Sequence, residues 1–322
     1  MLLFAKLGFV VAILWWMTAT DKLHLSELAV FVTNPLFLLV AVSFWLVFPV
    51  LLGSLRWWVL LCGAGVHAGF LRTVKLQLIG FFFNAAIPGA VGGDLVKAVY
   101  VVRDEQGRKT AAMLSILLDR IVGLVGLFTI AFVSTMMHVG ELLANPLTRP
   151  LVFSLGIASC LVLLFLGFVF FPHRDGRDPV DRLFSRDLPL FPIVHKAYMA
   201  LRAYREVPVV LLNAWLLSVV LQVAAMTFLW YTTLVVTGQR AALADFTLIF
   251  PFGAIATAIP IAPGGLGVGH FAFEKLFTLV GLTGGANAFN VFVLGQLVLN
   301  LVGIIPWLSL RAKLPSPTQV QV

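Results

Sequence analysis

"IPGAVGGD", residues Ile87 to Asp94, cannot continue a helix, although the sequence on either side of it can. Pro88 removes a backbone donor and clashes with the preceding turn, and Gly89, Gly92 and Gly93 open conformations that other residues avoid. The segment begins at Leu71 with Arg72 and Lys75, turns apolar at Leu76 to Phe83, breaks, and resumes as a shorter helix through Val102. Neither half has the roughly 20 residues that a helix needs to cross the hydrocarbon. A hairpin that enters and leaves by one face fits better. "IAPGGLGVGH", Ile261 to His270, looks like its copy: Pro263 answers Pro88, Gly264 answers Gly89, Leu266 answers Val91 and Gly267 answers Gly92. Apolar stretches from Phe246 to Pro260 and from Val268 to Leu282 flank this second break.

The rest of the chain places both breaks in a membrane. Of 322 residues, 61% are hydrophobic and 11% charged, where a soluble domain carries about a quarter charged. Mean hydropathy is +1.03. The expected fold class is an all-α polytopic membrane protein, one transmembrane domain over 1–322. The net charge of +8 suits basic loops on the cytoplasmic side and near anionic head groups. Nucleic acid is not expected, since no basic-aromatic module is visible. Cys62 and Cys160 sit in apolar surroundings and offer neither a disulfide framework nor metal spacing.

Full spans are expected near Leu3–Thr18, Pro35–Leu61, Thr110–His138, Leu151–Phe171, Val207–Val236 and Ala288–Leu310. The first reads as a retained helix, because it lacks a convincing small-residue cleavage site. Arg56, Trp57 and Trp58 read as a cation beside an aromatic belt at the end of the second. The longest polar segment, 172–206, is rich in arginine and reads as a basic cytoplasmic loop, part of which suits an amphipathic surface helix. With that loop inside, the N-terminus, the Arg103–Lys109 loop and the C-terminal Arg311 and Lys313 all fall inside too.

Two spans precede each hairpin and one follows it. About six full spans and two re-entrant hairpins thus form an inverted-topology repeat, residues 1–138 against 150–311, as in many transporters. Backbone freed at such breaks is tolerated only against protein or a wet cavity. A half-helix restarting near Asp94 or Val268 points a partly positive N-terminus into that cavity, which suits a phosphate or carboxylate.

Ionisable groups in apolar segments are costly and often functional. Asp94 restarts a helix, where it reads first as an N-cap and second as a partner for a cation. Lys97 shares its face and either meets a phosphate or snorkels. Asp119 and Arg120 lie about ten residues inside the third span and need not pair with each other. Arg120 suits phosphate, or a structural pair with Asp94 or Glu274. His270 and Glu274 share a face, where proton coupling is admitted and capping or an internal hydrogen bond is favoured over a metal. Gln222, Asn290, Gln296 and Asn300 read as polar glue between spans.

"FFFNAAIPGAVGGDLVKAVYVVR", "SILLDRIVGL" and "IPIAPGGLGVGHFAFEKLF", in that order, resemble the transmembrane domain of lysylphosphatidylglycerol synthases and its stand-alone relatives. In the full-length synthase that domain is a flippase for aminoacylated phosphatidylglycerol, followed by a soluble aminoacyl-transferase domain. The resemblance implies lipid translocation without aminoacylation. It points to Asn84, Pro88, Gly92, Gly93, Asp94, Asp119 and Arg120, and to Pro263, Gly264, Gly265 and Gly267. The chain departs from its relatives at Gly269 and His270, where they often carry a basic and an acidic residue, so aminoacylated phosphatidylglycerol does not follow as the substrate.

The expected function is a lipid flippase or exporter in a bacterial inner membrane, with Lys97, Arg120, His270 and Glu274 joining the family positions at the substrate site. No catalytic motif is visible, and no cofactor or metal is implied. Expected partners are membrane lipids with anionic or lipid-linked head groups; a separate synthase and a homodimer are admitted. The rival readings are an intramembrane enzyme or accessory subunit in lipid-linked sugar, aminoacyl-lipid or hopanoid synthesis, and a scaffold that recruits a synthase.

Overall fold

The structure, a computed structural model, describes residues 29–86, 92–104, 108–144, 146, 149–170, 202, 204–258 and 267–311. The expected first span, the tips of both breaks, nearly all of the basic loop and the C-terminal tail lie outside them.

Every regular element among the described residues is helical. In chain order they are α1 (Ala29–Thr33), α2 (Pro35–Gly63), α3 (Phe70–Ala86), α4 (Gly92–Asp104), α5 (Lys109–Met137), α6 (Val139–Ala144) and α7 (Arg149–Phe170). There follow α8 (Pro208–Thr237), α9 (Leu243–Ala258), α10 (Val268–Leu279), α11 (Gly285–Val302) and α12 (Ile304–Arg311). Among the described residues, four stretches are long and apolar enough to cross a membrane: α2, α5, α8, and Gly285–Leu310 across α11 and α12. The protein is an all-α membrane protein. Leu36, Leu39, Val209 and Ile305 are exposed on the outer faces of these helices, as a bilayer allows and water does not.

Local chemistry sets the helix ends. Asn34 accepts the Phe37 N–H at 3.0 Å, and Pro35 follows at the first helical position, where its missing donor costs nothing. Pro49 lies inside α2, and the helix widens there to π geometry over Leu46–Leu52. A wider turn accommodates the ring and the carbonyl that lost its donor. α8 ends at Gly238, whose φ of 67° is left-handed.

Aromatic side chains fill the centre. Phe44 stacks on Phe228 with centroids 4.2 Å apart, and Trp45 meets Phe292 edge-on at 5.1 Å. These rings join α2, α8 and α11 into one core.

The neighbours of four helices in each half, α2–α5 and α8–α11, repeat. In the first half α2 packs on α3, α3 on α4, α4 on α5, and α2 on α5; in the second, α8 packs on α9, α9 on α10, α10 on α11, and α8 on α11. The contacts between halves pair up as well: α3 lies on α11 as α9 lies on α5, and α2 meets α8. The base of each broken segment is bonded across its two connections. The Arg108 guanidinium donates to the Ala64 carbonyl at 3.2 Å, and the Gln239 amide donates to the Thr283 carbonyl at 2.9 Å. Both pairs are 44 residues apart. They occupy matching positions in the register that sets Pro88 on Pro263.

Candidate functional site

The arms of the first broken segment, α3 and α4, touch through glycine. A Cβ at Gly93 would fall on the Gly80 carbonyl, and one at Gly80 would meet the Lys97 stem at 2.6 Å. Asn84, at the end of the entering arm, accepts the Gly93 N–H at 2.9 Å. This close approach carries the first turn of α4, with Asp94, into the space between α3 and α5.

Five charged side chains meet there. Arg120 on α5 grips Asp94 on α4 through two bonds, Nε to Oδ2 at 2.6 Å and Nη2 to Oδ1 at 3.1 Å. Asp94 therefore lies inside the helix with its carboxylate taken by a guanidinium, which corrects the preference for an N-cap. Arg56 on α2 holds Asp119 on α5 in the same forked way, at 2.7 and 3.2 Å, and donates a third bond to the Ser218 hydroxyl on α8 at 3.0 Å. Gly123, one turn beyond Asp119, leaves room for that guanidinium. Lys97 is buried, with 4% of its surface exposed. Its ammonium donates to the Gln77 amide oxygen at 2.9 Å, lies 4.2 Å from the Trp57 ring centre, and stands 3.7 Å from Asp94.

The sequence had set Arg56 and Trp57 at a membrane interface. The structure overturns that. Trp57 is fully buried and donates to Ser115 at 3.1 Å, while Arg56 turns inward to a carboxylate 63 residues away. An interior carboxylate is a stronger attractor for guanidinium than a head-group layer, because the low dielectric magnifies the pair. Arg56, Gln77, Trp57 and Ser218 are thus members of the cluster that the sequence reading missed. The available signal was the matching problem posed by Asp119, a mid-span acid that needs a cation from another helix.

The second broken segment uses its polar groups otherwise. His270 Nδ1 accepts the Gly267 N–H at 3.2 Å, at the start of α10, where Gly267 has a φ of 83°. Glu274 accepts the Ala286 N–H at 2.9 Å and so sits on the N-terminus of α11, where a carboxylate meets the positive end of the helix. Phe273 stacks on Phe289 at 4.8 Å, and the His270 ring lies edge-on to Phe289. Capping, favoured for His270, is what the geometry shows. Arg120 takes Asp94, and Glu274 goes to α11. The break residues Pro88, Pro263, Gly264 and Gly265 lie outside the described residues. Of the expected glue, Gln222 reaches across to the Gly123 carbonyl at 3.4 Å, whereas Gln296 bonds Asn300 one turn along its own helix at 3.0 Å.

Counting formal charges, Arg56, Lys97 and Arg120 face Asp94 and Asp119, so one positive charge is left over. Of these groups Arg120 is the accessible one, with 49% of its side chain exposed against 14% for Asp94. The cluster thus presents a cation at its edge and holds a buried cation behind it, an arrangement that attracts an anion.

The chain is similar to the UPF0104 membrane protein PH1989 of Pyrococcus horikoshii, 25% identical over 312 residues, which covers 90% of this chain and 89% of that protein. No solved structure matches it. The model of the lysylphosphatidylglycerol synthase TM region matches residues 3–306, nearly the whole length, and the chain belongs to that family.

Proposed function

We propose that the protein moves a lipid with a phosphate-bearing head group between the leaflets of a bacterial cytoplasmic membrane, without catalysing a covalent change. The observation that carries this is the five-charge cluster at the second arm of the first broken segment, packed between apolar spans and most exposed at Arg120. Intramembrane charges are costly to bury, and a structural pair would be served by one cation and one acid. Family membership supports a lipid-related role.

On this reading the two broken segments are re-entrant hairpins, and residues 1–138 and 150–311 are inverted repeats. The shared neighbour pattern and the bonded bases support both. The termini and the basic loop lie in the cytoplasm, in keeping with the positive-inside rule. Acyl chains stay in the bilayer while the head group passes the cluster. Without a nucleotide-binding motif, movement follows a lipid or ion gradient, or simple exchange. A separate synthase would supply a modified lipid.

The test is leaflet exposure of labelled phospholipid in vesicles containing the purified protein. Wild type is expected to accelerate exposure, and Arg120→Ala to reduce the rate about tenfold or more, the loss of a charged contact worth roughly 1.5–3 kcal/mol. Equal rates remove Arg120 from the mechanism. Head-group turnover by the purified protein would replace transport with an enzymatic role.

A further inference from the structure

We infer that the site takes one phosphodiester monoanion, which enters by displacing Asp94 from Arg120 while Lys97 takes over the released carboxylate. This rests on the head-group role proposed above and deepens it. Each arginine of the cluster is matched by one forked carboxylate. Lys97 is left with a neutral amide oxygen, the face of Trp57, and Asp94 at 3.7 Å. Among the described residues the cluster is therefore one anion short, and its buried cation is the one with no carboxylate at hydrogen-bond distance.

The positions of the three groups set the order of exchange. Arg120 is half-exposed, so an anion from outside reaches its guanidinium before it reaches Lys97. A planar fork already shaped to a carboxylate accepts two phosphate oxygens equally well. Asp94 then needs a new cation, and Lys97, three residues along the same helix face, needs to close by only about 1 Å to make a charge-assisted bond. All three cations then have an anion, and the cluster is neutral. A zwitterionic head group would bring its own cation to the same place, which the leftover positive charge disfavours.

Asp94 is accordingly a competitor of the substrate, and Arg120 its ligand. Replacing them must change anion binding in opposite directions, which a structural role for the pair would not do. The experiment titrates fluorescent phosphatidylglycerol into the full chain in phosphatidylcholine nanodiscs, with thermal unfolding followed for every variant. Arg120→Gln is expected to weaken binding about tenfold or more and Arg120→Lys a few-fold, while Asp94→Asn tightens it about fivefold. Asp94→Ser is a second route to the same released guanidinium. Weaker binding in a folded Asp94 variant overturns the exchange. So does wild type that binds fluorescent phosphatidylcholine as tightly as phosphatidylglycerol, a result that depends on no variant. Displacement of the lipid by micromolar dimethyl phosphate would keep the anion site and assign it to a soluble ligand. Binding with the expected signs but no leaflet exchange would sink translocation alone; exchange that persists while binding ignores both variants would sink this inference alone.

Discussion

The two broken segments share a scaffold and differ in what they do with it. In each, two short arms pack side by side, a long span lies on either flank, and the connections at the base are bonded together. The first gathers Arg56, Asp94, Lys97, Asp119 and Arg120 beside its second arm. The second stacks Phe273 on Phe289 beside its second arm, and gives His270 and Glu274 to helix ends. The register that pairs the breaks sets Gly269 against Asp94, Ala272 against Lys97 and Gly295 against Arg120. Phe289 occupies the space where a Gly269 side chain would go, and the Trp45 indole fills the space at Gly295. Among the described residues the charged cluster thus lies in one half, and aromatic rings fill the space at two matching positions of the other. A shared pattern of helix neighbours does not require a shared site.

Removing charge from the first half is the most severe way to break this contrast. Asp119→Ala leaves Arg56 buried without its carboxylate and is expected to destabilise the fold by about 3–5 kcal/mol, read as a large drop in unfolding temperature in detergent. Arg56→Met combined with Asp119→Leu is expected to recover most of that loss while head-group binding stays impaired. A pair that recovered both would show the ion pair to be structural alone.

Glycine substitutions probe the shared scaffold at a smaller scale. Gly93→Ala drives a methyl into the Gly80 carbonyl, and Gly269→Ala drives one into the Phe289 ring. Each is expected to cost about 1–3 kcal/mol, with the backbone clash the dearer of the two because a ring can tilt and a packed carbonyl cannot. Leaflet exchange should fall further for Gly93→Ala than for Gly269→Ala. The reverse order would place substrate at the second break.

The gentlest changes sharpen the comparison. Glu274→Gln keeps an acceptor for Ala286 but loses the charge at the α11 N-terminus, an effect of about 0.3–1 kcal/mol. Exchange rates for Glu274→Gln are expected within about twofold of wild type, since a cap of this size holds a helix end rather than a ligand. A tenfold loss of rate without loss of stability would be falsifying for a purely structural Glu274. Gln239→Ala removes the bonds to Thr283 at the base of the second segment and should cost about 1 kcal/mol, detectable as faster hydrogen exchange in residues 280–284.

Much of the helical layout was legible because it rests on local facts. Long apolar runs expected at Thr110–His138 and Val207–Val236 fold as Lys109–Met137 and Pro208–Thr237. The position of the first break followed from Pro88 and the glycines after it, and α4 does resume at Gly92. The last span was read as continuous, but a turn at Gly303 divides it, and Gly303 is where that helix lies against the Leu78 carbonyl of α3. The π segment around Pro49 was not foreseen either, since proline announces a disturbance without saying whether the helix bends or widens.

The candidate site was legible only in part. Asp94, Lys97, Asp119 and Arg120 stood out because a charge in an apolar run needs a reason. Their pairing did not follow, because ion pairs are decided by which helices become neighbours. Arg56 illustrates this: near the end of a span beside two tryptophans it resembles an interface anchor, and only the approach of α5 and α8 turns it to Asp119 and Ser218.

By itself, then, the amino-acid order determined that this chain lives in a membrane, where its helices break, and that the breaks recur. Hydropathy, proline and glycine act through the chain's immediate surroundings, and a linear reading captures them. Tertiary structure alone decided that five charges from three helices share one place and that rings fill the space at two of their counterparts, Gly269 and Gly295. The energy of a buried charge depends on the partner within a few ångströms, and packing brings those partners together from residues far apart in the chain.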